Sequence, residues 1–302
     1  MAQTAMVARS LEKAGAEVEL VTITTEGDTS TASLSSLGGT GVFASALRDA
    51  LLGGRVDAIV HSLKDLPTEA FPGLTIAAIP KRADARDALC ARDGLTFDTL
   101  PAGATIGTGS PRRRAQALKR RPDLTIVDIR GNVDTRLGKV GASTSSQSAT
   151  SGGSSVDAVI LAVAGLSRLG RLDAVTEFLG IDGWLTAPGQ GAVAIEVRAG
   201  EEKLVASLDH KSTRILVEAE REVLALLEAG CAAPVGANAF VDDGLLFLSA
   251  RVYSLDGTSS LTSSHALYLS DVTQPGSELA ARVARELLEA GASALAPLGA
   301  SG

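Results

Sequence analysis

Aromatic residues are scarce, with one tryptophan, two tyrosines and six phenylalanines in 302 residues. Aliphatic side chains must therefore supply most of the packing. Cysteine is scarcer still, and two thiols, Cys90 and Cys231, cannot build a disulfide framework. No apolar run approaches the roughly 20 residues that span a bilayer. The opening segment, MAQTAMVARSLEKAG, reads as an amphipathic helix and lacks the apolar core and small-residue cleavage site of a signal peptide. There is no P-loop, no GxGxxG followed by a suitably spaced acid, and no metal-ligand spacing. The three histidines, His61, His210 and His265, stand apart. These absences point to a cytoplasmic enzyme or binding protein with no metal site and no membrane attachment.

What is present is an acidic chain, net charge -7, with 45% hydrophobic and 21% charged residues. Its length suits two or three domains better than one core. The charge argues against a general nucleic-acid binder, which needs a broad basic face. Yet Arg112, Arg113, Arg114, Lys119, Arg120 and Arg121 crowd into one short stretch. A local basic site in an acidic protein suits a small anionic ligand.

The first half repeats a strand-then-helix rhythm. Strands are expected at Val18 to Thr24, Val56 to Ser62, Leu74 to Ile79, Thr105 to Thr108, Leu124 to Ile129 and Asp157 to Val163. Helices are expected at Val42 to Leu52, from Pro111, from about Asn132, and over Ala164 to Leu169. Such alternation predicts α/β architecture with mainly parallel sheets, whose ligands collect at the carboxyl ends of strands. Residues 141 to 155 form a Ser/Thr/Gly tract expected to be a flexible surface loop. From Ser212, the spacing of Ile215, Leu216, Ala219, Val223, Leu226 and Leu227 is helical, with Gly230 a plausible C-cap. Strands at Leu245 to Ser254 and Leu261 to Leu269, then a helix from about Ser277 to Ala290, complete a small α+β unit.

Four segments carry candidate chemistry. His61-Ser62-Leu63-Lys64-Asp65-Leu66-Pro67 ends an apolar strand, and Pro67 biases Leu66 toward an extended conformation. If extended, Lys64 and Asp65 point to opposite sides and serve different roles; a plain solvated loop is the alternative. In Thr108-Gly109-Ser110-Pro111-Arg112-Arg113-Arg114, Ser110 suits an N-cap and Pro111 the first helical position. Arginines in a first turn face the positive end of the helix dipole, at about 0.3–1 kcal/mol each when exposed. An anion over that turn explains them, and the guanidinium fork matches a carboxylate, with phosphate as the rival. Arg130 and Arg136 repeat the logic around Gly131, and Arg168 follows the next strand. Cys231 lies just past a helix C-terminus, where nothing activates a thiolate. A permanently alkylated sulfur needs no activation, and a small structural residue is the alternative.

Six strings, HSLKDLP at 61–67, GTGSPRRRAQ at 107–116, RGNVDTRL at 130–137, ILAVAGLSRLG at 160–170, APGQGAVAIE at 187–196 and LEAGCAAPVGA at 227–237, occur in this order. Together they resemble the porphobilinogen deaminase (hydroxymethylbilane synthase) family over nearly the whole chain. The resemblance implies two similar α/β domains, like type II periplasmic binding proteins, around a cleft, plus a smaller C-terminal α+β domain. The expected bounds are 1–80 with 189–206, 86–182, and 211–302. It also implies a transferase that condenses four porphobilinogen units, each losing ammonia, into hydroxymethylbilane, acting as a monomer. A dipyrromethane cofactor is expected on Cys231 through a thioether.

By the same resemblance Asp65 is the catalytic acid. Lys64, Ser110, Arg112, Arg113 and Arg136 would hold cofactor carboxylates, and Ser62, Thr108, Arg130, Arg168 and Gln190 would contact substrate. Three departures qualify the match. Family members usually open with a strand running into Arg-x-Ser-x-Leu-Ala, whereas this sequence begins near that Leu-Ala. The expectation is one strand and one arginine fewer, and an impaired deaminase or a non-catalytic small-carboxylate binder stands as the alternative. Position 109 is Gly where Ser is common, and the 141–155 tract is longer than the usual turn.

Overall fold

The computed structural model describes residues 2–23, 41–141, 155–230 and 233–299. Helix α1 (Ala2–Lys13) and helix α2 (Gly41–Leu52) precede strands β1 (Ile59–Ser62) and β2 (Leu74–Ala78). The chain then crosses into a second sheet. It is built from β3 (Asp87–Ala91), β4 (Thr105–Gly107), helix α3 (Pro111–Arg120), β5 (Thr125–Val127), helix α4 (Val133–Leu137), β6 (Ala158–Ala162), helix α5 (Val163–Arg168) and β7 (Glu177–Leu179). Strand β8 (Val193–Arg198) returns to the first sheet, giving the orders β1-β8-β2 and β5-β4-β6-β3-β7. Helix α6 (Lys211–Leu226) leads to the meander β9 (Val235–Asp242), β10 (Leu245–Tyr253) and β11 (Ser260–Tyr268). Helix α7 (Pro275–Glu289) and the short α8 (Ala292–Leu295) close the fold.

The sheets are less parallel than the sequence rhythm suggests. Among the pairings of the named strands, only β4 with β5 and β4 with β6 run parallel; β3 is antiparallel to both β6 and β7, and β8 to both β1 and β2. The cause is the crossing itself. Strand β1 ends at Ser62, opposite Val193, the first residue of β8; β6 ends at Ala162, opposite Asp87, the first residue of β3. A segment arriving from the other sheet enters at the edge where its neighbours finish, so it must run against them.

In the central sheet, Ala88, Cys90, Val159 and Leu161 pack on one face, and Leu89, Ile106 and Ile160 on the other. A sheet covered on both faces needs apolar residues at consecutive positions, which hides the two-residue alternation of a half-exposed strand. In the third unit, one face of the meander packs on α6 and α7 through Val223, Leu248, Val252, Leu279 and Val283.

Two further expectations are corrected. Val18 to Ile23 forms no strand; Leu20 and Val21 are exposed, and no described strand lies beside them to complete a ladder, while Thr24 lies outside the described residues. Helix α6 is capped not at Gly230 but at Leu227, and the left-handed residue that turns the chain is Glu228, at φ 47°. Residues 142–154 of the Ser/Gly tract and Cys231 also lie outside the described residues.

The crossovers between the first two sheets are fastened to the third unit. Glu220 on α6 is fully buried and accepts both Nη atoms of Arg82, at 2.7 and 2.9 Å, from the first crossover. It also accepts the backbone N–H of Gly189, at 2.7 Å, from the second crossover, and that of Ala239 on β9, at 2.8 Å. Gly191 has φ +87°, and a Cβ there would lie 2.7 Å from the Ala83 carbonyl oxygen. The two crossovers touch backbone to backbone, so glycine is required on both counts.

Candidate active-site cleft

Where the strand ends of the two sheets meet, a cavity of about 470 Å³ is lined by Ser62, Lys64, Asp65, Arg113, Arg136 and Arg168, among others. Each basic group arrives from a different element. Arg113 comes from the first turn of α3, Arg136 from α4, Arg168 from the end of α5, and Lys64 and Asp65 from a 3₁₀ turn, Leu63–Asp65, directly after β1. That turn differs from the extended run expected for Lys64 and Asp65, and it lets both side chains line one cavity. The extended backbone returns at Leu66, φ -83° and ψ 137°, before Pro67.

Asp65 is exposed and makes no hydrogen bond or ion pair with another described residue. The Lys64 ammonium donates to Gln190 Oε1 at 3.2 Å. Burial pulls its pKa down to about 8, and Arg113 adds to the fall against the pull of the Asp65 carboxylate. Ser62 accepts from Gln3 Nε2 at 2.7 Å. Arg136 donates through Nε to the Gly131 carbonyl at 2.8 Å, and Arg168 through Nη2 to the Gly191 carbonyl at 2.7 Å. The Nε atoms of Arg113 and Arg168 are buried with no partner among the described residues. Such donors ask for an acceptor in the cavity.

The other candidates are placed differently. Ser110 caps α3, accepting from the Arg113 N–H at 3.4 Å, and buried Thr108 accepts from the Ser110 N–H at 3.2 Å. Arg130 pairs with Asp128 at 3.3 Å and stands outside the cavity lining. Arg112 turns inward, to Gln116 Oε1 at 2.7 Å, the Leu185 carbonyl at 2.8 Å and Asp87 at 2.9 Å. Gln190 is fully buried behind the cavity, donating to the Ala85 carbonyl and to Asp87.

Asp87 is the residue that sequence reasoning missed. Its fully buried carboxylate accepts from Arg113 at 2.6 Å, Arg112 at 2.9 Å, Trp184 Nε1 at 2.9 Å and Gln190 Nε2 at 2.9 Å. Burial works to raise its pKa, but the two guanidinium groups outweigh that and hold it far below the usual carboxylate range. The anion expected over the first turn of α3 is thus supplied partly by the chain itself. A signal was available: an acid heading the apolar run Ala88-Leu89-Cys90-Ala91 must be paired if that run is buried.

A family model described as "Porphobilinogen deaminase, dipyromethane cofactor binding domain" matches residues 1–206, and "Porphobilinogen deaminase, C-terminal domain" matches residues 214–289. This chain belongs to the porphobilinogen deaminase family. The porphobilinogen deaminase of Leifsonia xyli subsp. xyli is 56% identical over 311 residues, covering 99% of this chain and 91% of that protein. Those of Thermobifida fusca and Cutibacterium acnes are each 50% identical, over 96% and 99% of this chain and 90% and 94% of theirs.

The family's cofactor can be tested against the cavity. A dipyrromethane bearing carboxylate arms needs several cationic donors converging on one space, and the cavity offers Arg113, Arg136, Arg168 and Lys64, two of them with orphaned Nε donors. The donor set fits.

Exchanging Asp87→Asn keeps the shape but leaves two buried guanidinium groups without their counter-charge. We expect a loss of about 3–5 kcal/mol in unfolding free energy, read from urea denaturation. An unchanged midpoint would show that Asp87 is not what secures the arginines.

Proposed function

We propose that this chain is a porphobilinogen deaminase, joining four porphobilinogen units one at a time, with release of ammonia at each, into hydroxymethylbilane. The observation that carries the reading is the cleft itself. In a chain of this family, three arginines and a lysine converge on a space in which Asp65 is the one acid among the described lining residues. The proposal includes domains of 1–80 with 189–206, 86–182, and 211–302. It extends to a cytoplasmic monomer, since one chain supplies the whole described lining and two thiols without a disulfide framework suit a reducing compartment.

The cofactor, a dipyrromethane held as a thioether on Cys231 Sγ, supplies the free pyrrole carbon to which the first unit is joined. Arg113, Arg136, Arg168 and Lys64 bind the acetate and propionate arms, Arg113 and Arg168 offering their unpartnered Nε donors. Arg112 secures Arg113 from behind through their shared Asp87, with Ser110 capping the helix that carries both. Ser62 is assigned a supporting role in the cavity lining, and Thr108, Gln190 and Arg130 supporting roles outside it. Asp65 acts on the reacting unit: it donates a proton to the departing amine as the carbon–nitrogen bond breaks. It then faces, as carboxylate, the positive charge left on the pyrrole, and accepts the proton lost when the new carbon–carbon bond forms. A carboxylate beside developing positive charge favours its formation electrostatically.

Intact mass of the purified protein tests the reading. We expect a surplus equal to two pyrrole units that disappears in Cys231→Ala. Unmodified protein from cells able to make the cofactor, still binding porphobilinogen, would replace the enzyme with a carboxylate-binding protein. Asp65→Asn should keep its fold and its affinity for porphobilinogen while losing roughly a hundredfold or more in kcat; a fully active variant would remove Asp65 from the chemistry.

Lys64 adds a pH signature. With its pKa at about 8, the side chain is an ammonium below that value and a neutral amine above it, so its grip on a carboxylate weakens as pH rises through about 8. KM for porphobilinogen should climb up to roughly tenfold between about pH 7 and about pH 9, and Lys64→Arg should flatten the rise. A wild-type KM that stays level over this range would count against a role for Lys64 in binding.

A further inference from the structure

Asp65 has no hydrogen bond or ion pair of its own among the described residues, so the place of its carboxylate is set by the backbone that carries it. That backbone is held at several points. The Leu63 N–H donates to the Ala192 carbonyl, just before β8, at 3.1 Å, and the turn closes through the Leu66 N–H, which donates to the Leu63 carbonyl at 3.2 Å. Pro67 has no N–H with which to continue a ladder. The carbonyls of Leu63, Leu66 and Pro67 instead converge on one side chain. Arg221, on α6 of the third unit, donates through Nη1 to the Leu63 and Leu66 carbonyls, each at 2.9 Å, and through Nη2 to the Pro67 carbonyl at 2.6 Å.

A planar guanidinium suits this task, since its donors point in fixed, different directions, whereas an ammonium is a compact point charge on a flexible stem. Its approach is also fixed by packing. Leu63 and Leu66 are buried in one apolar cluster with Val217, which precedes Arg221 by about one turn of α6. Gly189, at φ +75°, closes the space from the second crossover: a Cβ there would lie 3.2 Å from Leu63 Cγ and 3.6 Å from Arg221 Cδ. Arg221, Leu63, Leu66 and Pro67 all stand outside the lining of the cleft cavity, whereas Lys64 and Asp65 are part of it.

We propose that Arg221 is a positioning residue for the deaminase reaction: by gripping three carbonyls of residues 63–67, it fixes the Asp65 carboxylate against the reacting unit. The inference rests on the function assigned to the cleft. A displacement of about 1 Å at a reacting group can cost roughly a hundredfold in rate. Arg113, Arg136 and Arg168 come from other elements and keep their hold on the acidic arms, so loosening this turn strikes the chemical step harder than binding.

Arg221→Met keeps an unbranched apolar stem and removes the donors. We expect kcat to fall about tenfold or more while KM for porphobilinogen stays within about threefold. In the residual turnover of Asp65→Asn the same exchange should lower kcat by less than about twofold, because a clamp that acts through the carboxylate has nothing left to position. Hydrogen exchange at the Leu66 amide, which closes the turn, should quicken at least about tenfold in Arg221→Met, a readout that needs no turnover. Arg221→Lys should lie between wild type and Arg221→Met in both kcat and exchange. If Arg221→Met does not fold, Arg221→Lys carries the test, with kcat down and Leu66 exchange up by about threefold each. Unchanged exchange, an equal fall in kcat with and without the Asp65 carboxylate, or a loss expressed in KM instead of kcat overturns the inference. A wild-type protein that turns over no porphobilinogen removes the reaction on which the inference rests, and the exchange comparison tells that failure apart from failure of the clamp.

Discussion

The carboxylate of Asp87 is the interaction on which the cleft depends. A buried anion is expensive unless surrounded by donors, and Asp87 has four, supplied by Arg112, Arg113, Trp184 and Gln190. These come from α3 and from the second crossover, so one charge fixes the start of a helix against the segment that joins two sheets. It also resolves a local conflict. Arginines in the first turn of a helix oppose the dipole, yet the turn of α3 carries two whose guanidinium groups reach an acid at the head of β3, two strands over from the strand that leads into the helix. Helix and strand thereby share one electrostatic core, and what remains of Arg113, its unpartnered Nε, is left to the cavity.

Glu220 does for the crossovers what Asp87 does for the arginines. Arg82 from one crossover and the Gly189 N–H from the other both end on its carboxylate, and Arg82 Nε reaches the Gln190 carbonyl at 2.7 Å. Gln190, which contacts Lys64, Arg113 and Asp87, therefore sits one residue from the anchor that the third unit provides. The basic wall of the cleft and the third unit are connected by hydrogen bonds through buried groups. Displacing one should be felt at the other.

The sequence was legible where chemistry is local. Ser110 and Pro111 announce the start of α3, Asn132 caps α4 by accepting the Thr135 N–H at 2.9 Å, and the spacing from Ile215 to Leu226 reads correctly as a helix. Four strands, β3, β7, β8 and β9, were not legible. Strand β7 has three residues, β9 begins with small side chains, and β8 carries Glu196 in its centre, neutralised by Arg48 at 2.9 Å from a helix far upstream. Charges inside strands make sense only once their distant partners are known. The same limit applied to the arginines: residue type marked Arg112 and Arg113 alike, but whether a guanidinium faces a ligand or an internal acid is decided by Asp87, 25 residues away in sequence. Lys64 and Asp65 were recognised, while the 3₁₀ turn that sets them on one cavity was not, since Pro67 restrains only the residue before it.

The two orphaned donors give the cleft a direction of preference. Arg113 and Arg168 are held by carbonyls of the scaffold, Ile160 at 3.0 Å and Gly191 at 2.7 Å, so neither can swing out to find water without breaking those bonds. Their buried Nε–H groups therefore remain unsatisfied by the described protein, at roughly 1–3 kcal/mol for each buried unmade hydrogen bond. A ligand with carboxylate oxygens at those positions removes that deficit on arrival, and more strongly than a neutral carbonyl, because the bond is then charge-assisted on both sides. Selectivity for acidic arms then comes less from the number of positive charges than from the rigidity of their supports. By linkage, whatever fills those positions stabilises the folded chain in proportion to its affinity.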